Sequence, residues 1–147
     1  MAHNGHLTRI GRDGAKSLGE CLTEQFGTNY YPVAFMSYRG AARAWDAGGQ
    51  IGVIPHDLAP PPSYNIESVM MRATGFPEIA WIRLDQLNRT LQSWLGTPRF
   101  VREFGAAYVP DDSEKLRALP KEFAAVVVFG HTTPTTPTPT GVRKAKP

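Results

Sequence analysis

Six consecutive apolar residues, Ala124-Ala125-Val126-Val127-Val128-Phe129, place the strongest constraint on this chain. Side chains alternate between the two faces of a strand. A strand of this composition is therefore apolar on both faces and needs cover on both. Tyr30 to Tyr38 repeats the pattern, with Pro32 near its start, where a missing N–H costs least. Residues 78–84 predict another strand, and 50–54 and 104–109 predict weaker ones. Helical signals lie between them. Leu18, Cys21, Leu22 and Phe26 share one face, closed by Gly27. Pro60-Pro61-Pro62-Ser63 leads into a helix that turns Ile66, Val69, Met70 and Ala73 inward and ends at Thr74-Gly75. Asp85 is placed to cap a further helix burying Leu87, Leu91, Trp94 and Leu95. Tyr30, Tyr31, Phe35, Trp81 and Trp94 are expected in the core.

Strands separated by helices imply right-handed crossovers, hence an α/β fold with a mostly parallel sheet flanked by helices. Few helices are available to cover both faces of such a sheet, so the domain is expected to be partial. It is expected to span residues 1–131. Residues 132–147 alternate Thr and Pro and then turn basic, bury little, and are expected to be a disordered tail. Arg143, Lys144 and Lys146 in that tail account for the whole net charge of +3. The body is neutral overall, which argues against nucleic-acid binding. No stretch approaches the roughly 18 apolar residues of a membrane span, and Met1 to His6 has no apolar leader core. The single cysteine, Cys21, excludes an intrachain disulfide and suits a reducing, cytoplasmic location.

Ala2-His3-Asn4-Gly5-His6 places two imidazoles three residues apart in a small, polar motif. Read from the residues alone, it is either a terminal segment with two solvated histidines or a loop at the C-terminal end of a strand, where α/β folds hold their ligands. A zinc site needs a third and preferably a fourth ligand. The other histidines are His56, in a proline-bounded stretch, and His131; Cys21 falls on a presumed buried face. No metal and no other cofactor is expected. No Gly-x-Ser-x-Gly stands behind any serine, so a Ser-His-Asp triad is not indicated.

Taken in order, these pieces resemble the erythromycin esterase family. They are Ala2-His3-Asn4-Gly5-His6, Lys16-Ser17-Leu18-Gly19, Tyr30-Tyr31, Pro61-Pro62-Ser63, Arg99, Phe104-Gly105-Ala106-Ala107-Tyr108, Glu122-Phe123 and Thr132-Thr133. The resemblance covers nearly all of this chain and the C-terminal portion of the family's domain. It implies a hydrolase of a carboxylic ester, a macrolide lactone in characterised relatives, that uses histidine-assisted attack by water without a required metal. His3 and His6 carry over as catalytic residues, His3 orienting or protonating the ester and His6 supporting it. The expected partner is a small-molecule ester. The family's upstream block, with its Gly-Glu pair and further His-Gly, has no counterpart here, and Ala124 stands where members commonly have Asp. The resemblance thus implies an incomplete site in this chain. The alternative is a non-catalytic fragment or binding module that associates with another chain.

The tail reading is tested by removing Pro137 to Pro147, which should leave the thermal unfolding midpoint almost unchanged; a fall of several degrees would show that the segment packs.

Overall fold

The computed structural model describes residues 3–11, 14–46, 52–103, 105, 107–110 and 113–136. In chain order its elements are helices α1 (Asn4–Leu7) and α2 (Leu18–Phe26), strands β1 (Val33–Ser37), β2 (Gly40–Asp46) and β3 (Val53–Leu58), helix α3 (Ile66–Ala73), strand β4 (Ile79–Arg83), helix α4 (Arg89–Gly96), strands β5 (Arg99–Arg102), β6 (Ala107–Tyr108) and β7 (Glu114–Arg117), helix α5 (Leu119–Glu122) and strand β8 (Ala125–Phe129).

The valine run becomes β8, the middle strand of a sheet ordered β1-β8-β4. Its side chains split between the faces as the alternation requires. Val126 and Val128 point into the core beside Ala34 and Met36 of β1 and Ala80 of β4. Ile66 and Met71 of α3, Leu95 of α4, Val101 of β5 and Leu119 of α5 close over that face. Among the described residues the opposite face has no such cover. Phe35 is 55% exposed and Trp81 is 64% exposed, and both flank Val127 in register. Phe35 stacks on Phe129, ring centroids 6.0 Å apart, and Ile79 beside Phe129 is also exposed. Phe35 and Trp81, expected in the core, thus lie on an open apolar surface.

The sheet is mixed, which corrects the expectation of a mostly parallel one. β1 runs parallel to β8 and β4 runs antiparallel to it. β2 pairs antiparallel with β3 and parallel with β6, and β5 pairs antiparallel with β7. Short connections favour antiparallel partners, whereas parallel ones need a long crossover. The strands that make these pairs carry weak strand signals. β2 reads Gly-Ala-Ala-Arg-Ala-Trp-Asp, and β5 and β7 are rich in charge. The predicted strand at 50–54 is instead β3, which runs to Leu58 through Pro55 and His56. Its edge position tolerates the proline. His56 is therefore in a strand, where Nε2 donates to the Ala44 carbonyl at 3.2 Å and the ring meets Tyr108.

The helices form near their predicted positions, and their buried faces agree with the predicted ones only in part: α4 buries Leu95 as expected. Ser17 caps α2, accepting from Glu20 N–H at 2.9 Å and donating to the Thr8 carbonyl. Leu18, Cys21 and Phe26 are exposed, and the residue α2 buries is Gly19. A Cβ on Gly19 would lie 2.2 Å from the Leu7 carbonyl oxygen, so the bare glycine lets the end of α1 approach. α3 buries Ile66 as predicted, but its other buried residues are Glu67, Ser68 and Met71 in place of Val69, Met70 and Ala73. Asn88, and not Asp85, caps α4; Asp85 pairs with Arg83 at 2.7 Å.

Thr132, assigned by the sequence to the Thr/Pro segment, donates its N–H to the Arg39 carbonyl at 2.9 Å and accepts from Ala41 N–H at 2.8 Å. Arg43 donates to the Thr135 carbonyl. Residues 137–147 lie outside the described residues. Among the described residues no helix is long and apolar enough to cross a membrane.

The bridge between Gly40 and Thr132 joins β2 to the end of the main sheet. It requires φ +116° at Gly40, and a Cβ there would fall 2.0 Å from the Thr132 carbonyl oxygen. Gly40→Ala should lower the unfolding free energy by about 3 kcal/mol, through backbone strain and the clash together. A urea titration measures this, and a loss below about 1 kcal/mol would show that the contact yields easily.

Candidate active site

The histidine motif is fastened to the sheet by the residue between its histidines. The Asn4 side chain donates to the Phe35 carbonyl at 2.7 Å and accepts from Phe35 N–H at 3.1 Å. It thereby satisfies an outer backbone pair of β1, an edge strand. Further along, Tyr30 Oη donates to the Leu7 carbonyl and Arg9 N–H to the Glu122 carbonyl. Thr8, fully buried, donates to Glu122 Oε2 at 3.2 Å. From His3 onward the segment is therefore held at several points.

His3 caps α1, and its Nδ1 accepts from Gly5 N–H at 3.1 Å. In a neutral ring this places the proton on Nε2. His6 is exposed, its ring centroid 6.1 Å from that of His3 and its plane turned by 78°. His3 lines a cavity of about 460 Å³ at the C-terminal end of β1, and His6 stands outside it. The cavity's polar lining includes Ser37, Arg102, Glu103 and Thr132; Phe35 and Phe129 supply an apolar wall. Ser37 Oγ and Thr132 Oγ1 share a hydrogen bond of 2.7 Å. β1 and β8 are parallel here, so the cavity lies outside the carboxyl ends of a parallel pair, the usual ligand position in α/β sheets.

Glu103 is the carboxylate of this cavity, and a partly buried arginine fixes it. Arg117 donates to Glu103 Oε2 from Nε at 2.8 Å and from Nη2 at 2.5 Å. The same guanidinium lies 3.8 Å from Glu122 Oε2. Gly5 explains how the carboxylate and the imidazole share the space. A Cβ at Gly5 would sit 3.1 Å from His3 Nδ1 and 3.4 Å from Glu103 Oε1. Both groups thus border the volume that the missing side chain leaves free. On the other side a Cβ at Gly105 would lie 4.0 Å from His3 Nε2, still in contact.

The structure brings His3 together with Glu103, Arg102, Ser37 and Thr132, and it leaves His6 at the surface. Sequence reasoning did not single out Glu103, Arg102 or Arg117 as site residues. The available signal was the Arg102-Glu103 pair beside the small residues Gly105-Ala106-Ala107. The other potential metal ligands are dispersed, with Cys21 on α2, His56 in β3 and His131 past the end of β8. Among the described residues no group of three or more His, Cys, Asp or Glu converges.

The family described as Erythromycin esterase matches residues 1–132. No curated protein matches the chain. Three crystal structures share its fold. A Bacillus cereus protein superposes with a TM-score of 0.73 at 18% identity, over 90% of this chain and 32% of its own. A succinoglycan biosynthesis protein gives 0.70 at 17% identity, over 90% and 32%. A mutant of the erythromycin esterase EreC in its open conformation gives 0.56 at 16% identity, over 89% and 31%. The chain spans about a third of the length of each.

Arg117 neutralises two largely buried carboxylates, with side-chain exposures of 8% for Glu103 and 10% for Glu122. Arg117→Met should therefore cost about 3 kcal/mol or more of stability, because it leaves those charges uncompensated. Adding Glu103→Gln should recover part of the loss. Urea titrations of the three proteins decide the matter, and an Arg117→Met variant as stable as wild type would contradict the buried-pair reading.

Proposed function

Because the chain belongs to the erythromycin esterase family, we propose that it carries the histidine-bearing part of a site that hydrolyses a carboxylic ester. The observation that supports this most is the placement of His3 beside Glu103 in a cavity at the carboxyl ends of parallel strands. Ester hydrolysis needs a donor for the developing oxyanion or the leaving oxygen, a base for the attacking water, and a pocket that holds the acyl group. With Nδ1 taken by Gly5 N–H, neutral His3 offers a proton at Nε2. In this tautomer it orients the ester oxygen by a hydrogen bond from Nε2. To act instead as the base toward water, it must shift its proton to Nδ1 and give up the Gly5 bond. The imidazolium formed when Nε2 takes the proton of water can return that proton to the leaving alkoxide, and Glu103, held on one oxygen by Arg117, stands beside the same cavity. Phe35 and Phe129 suit an apolar part of the substrate. His6 supports His3 through the edge contact of the rings.

One observation favours a second reading, a non-catalytic piece that associates with other polypeptide. The sheet face bearing Phe35, Ile79 and Trp81 is apolar and open, as a surface made for burial would be.

The test uses turnover of a p-nitrophenyl ester, measured for the chain by itself and joined to the rest of the fold seen in its solved relatives. In the joined protein His3→Ala should lower turnover by about a hundredfold or more, His6→Ala by less, and the circular dichroism should stay unchanged. Full activity in His3→Ala would refute the assignment, and absence of ester turnover in both forms would favour the second reading.

A further inference from the structure

α3 buries a carboxyl group that the site chemistry described above does not use. Glu67 is fully buried in its first turn. Its Oε1 accepts the backbone N–H of Arg102 at 2.6 Å, a bond that joins α3 to the last residue of β5. The next residue is Glu103. The Arg102 guanidinium reaches the Tyr38 carbonyl at 3.3 Å and the Ala59 carbonyl at 2.5 Å. Arg102 thus ties β5 to the ends of β1 and β3 while lining the His3 cavity. The bond that Glu67 accepts thus holds the backbone at Arg102, next to Glu103, whose carboxylate Arg117 holds.

We propose that Glu67 is a positioning residue of the His3 cavity, and that gaining or losing its proton loosens or tightens the bond that fixes Arg102 and Glu103. An ionised carboxylate is a much stronger acceptor for an amide N–H than a neutral carboxyl. The charged groups facing Glu67 are Arg102 on β5, which favours the ionised form, and Glu114 on β7, which opposes it. β8, the other strand packed on α3, brings no charge. Glu67 Oε2 and Glu114 Oε1 are both buried and have no hydrogen-bond partner among the described residues. Among the described residues no hydrogen bond or salt bridge holds either oxygen in its ionised form.

Burial pushes the carboxyl up to about 7 from its ordinary 4.5. The sign for stability follows. A raised acid stabilises the fold while neutral, so its contribution is complete below about 4.5 and is lost as the pH rises through about 7. The local bond to Arg102 moves the other way and tightens over the same range. This opposition separates positioning from a merely structural role, in which local order would follow global stability.

The experiment follows the Arg102 amide proton by NMR in the isotope-labelled full chain. The wild type should show a downfield titration with a midpoint near 7, and Glu67→Gln should abolish it. An Arg102 amide that stays flat from two units below that midpoint to two above would overturn the proposal, and this arm needs no variant to fold. Titration persisting unchanged in Glu67→Gln would also overturn it. The claim about turnover rests on the hydrolase reading. In a form that cleaves an ester, Glu67→Gln should remove a pH step from kcat and leave KM near the wild-type value. If no form cleaves an ester, the hydrolase reading fails while the amide titration still decides the role of Glu67.

Discussion

Everything in this molecule hangs on β8. Its backbone is bonded on both edges, to β1 in parallel and to β4 antiparallel. Its residues 126 and 128 are fully buried, and they form the floor on which α3, α4 and α5 pack. A strand without polar side chains cannot stand at the surface, so the sequence forces it to the centre. The same composition makes its other face apolar. That face, with Phe35 and Trp81 flanking Val127, finds no cover among the described residues. Solved structures of the same fold are about three times as long as this chain. The strand that orders the described residues thus also leaves them with an open apolar surface.

The site depends on the same strand at one remove. β8 sets β1 in register, and the edge of β1 takes up Asn4, which places His3. Just past the end of β8, Thr132 bonds to Ser37 and to the start of β2, closing one wall of the cavity. The opposite wall comes from β5 and β7 through a buried charge network. Arg117 holds Glu103 and Glu122, and Glu122 returns to the histidine segment through Thr8 and Arg9. Thr8 and Arg9 are therefore joined to Glu122 by polar contacts across the molecule. Gly5 and Gly40 contribute by what they lack, because a side chain at either would occupy space already claimed by His3 and Glu103 or by Thr132.

Strongly apolar segments were legible in the sequence. Residues 124–129 became the central strand, 78–84 became β4, and α2 ended at Gly27 as its spacing required. Strands whose side chains are small or charged were not legible. Ala41, Ala42 and Ala44 in β2 carry no strand preference, and β5 with β7 pairs two charged sequences whose stability comes from partners distant in the chain. Missing them produced the expectation of a mostly parallel sheet. Which face a helix buries was also lost, because α3 sinks Glu67 against β5, a tertiary bond that apolar periodicity does not encode. In the site, the histidine motif was legible from its composition. Glu103 and Arg117 are 14 residues apart and meet only through strand pairing, so no local pattern announced them.

The central claim is that the cavity bounded by His3 and Glu103 is where an ester is bound and cleaved. Its most direct test is chemical-shift mapping with a phosphonate mimic of the tetrahedral intermediate, titrated into the protein joined to the rest of the fold. The account predicts the largest changes at His3, Ser37, Arg102, Glu103 and Thr132, with small ones at His131 and Tyr38 in the neighbouring cleft. Changes concentrated at His131 and Tyr38, with His3 and Glu103 unmoved, would contradict it.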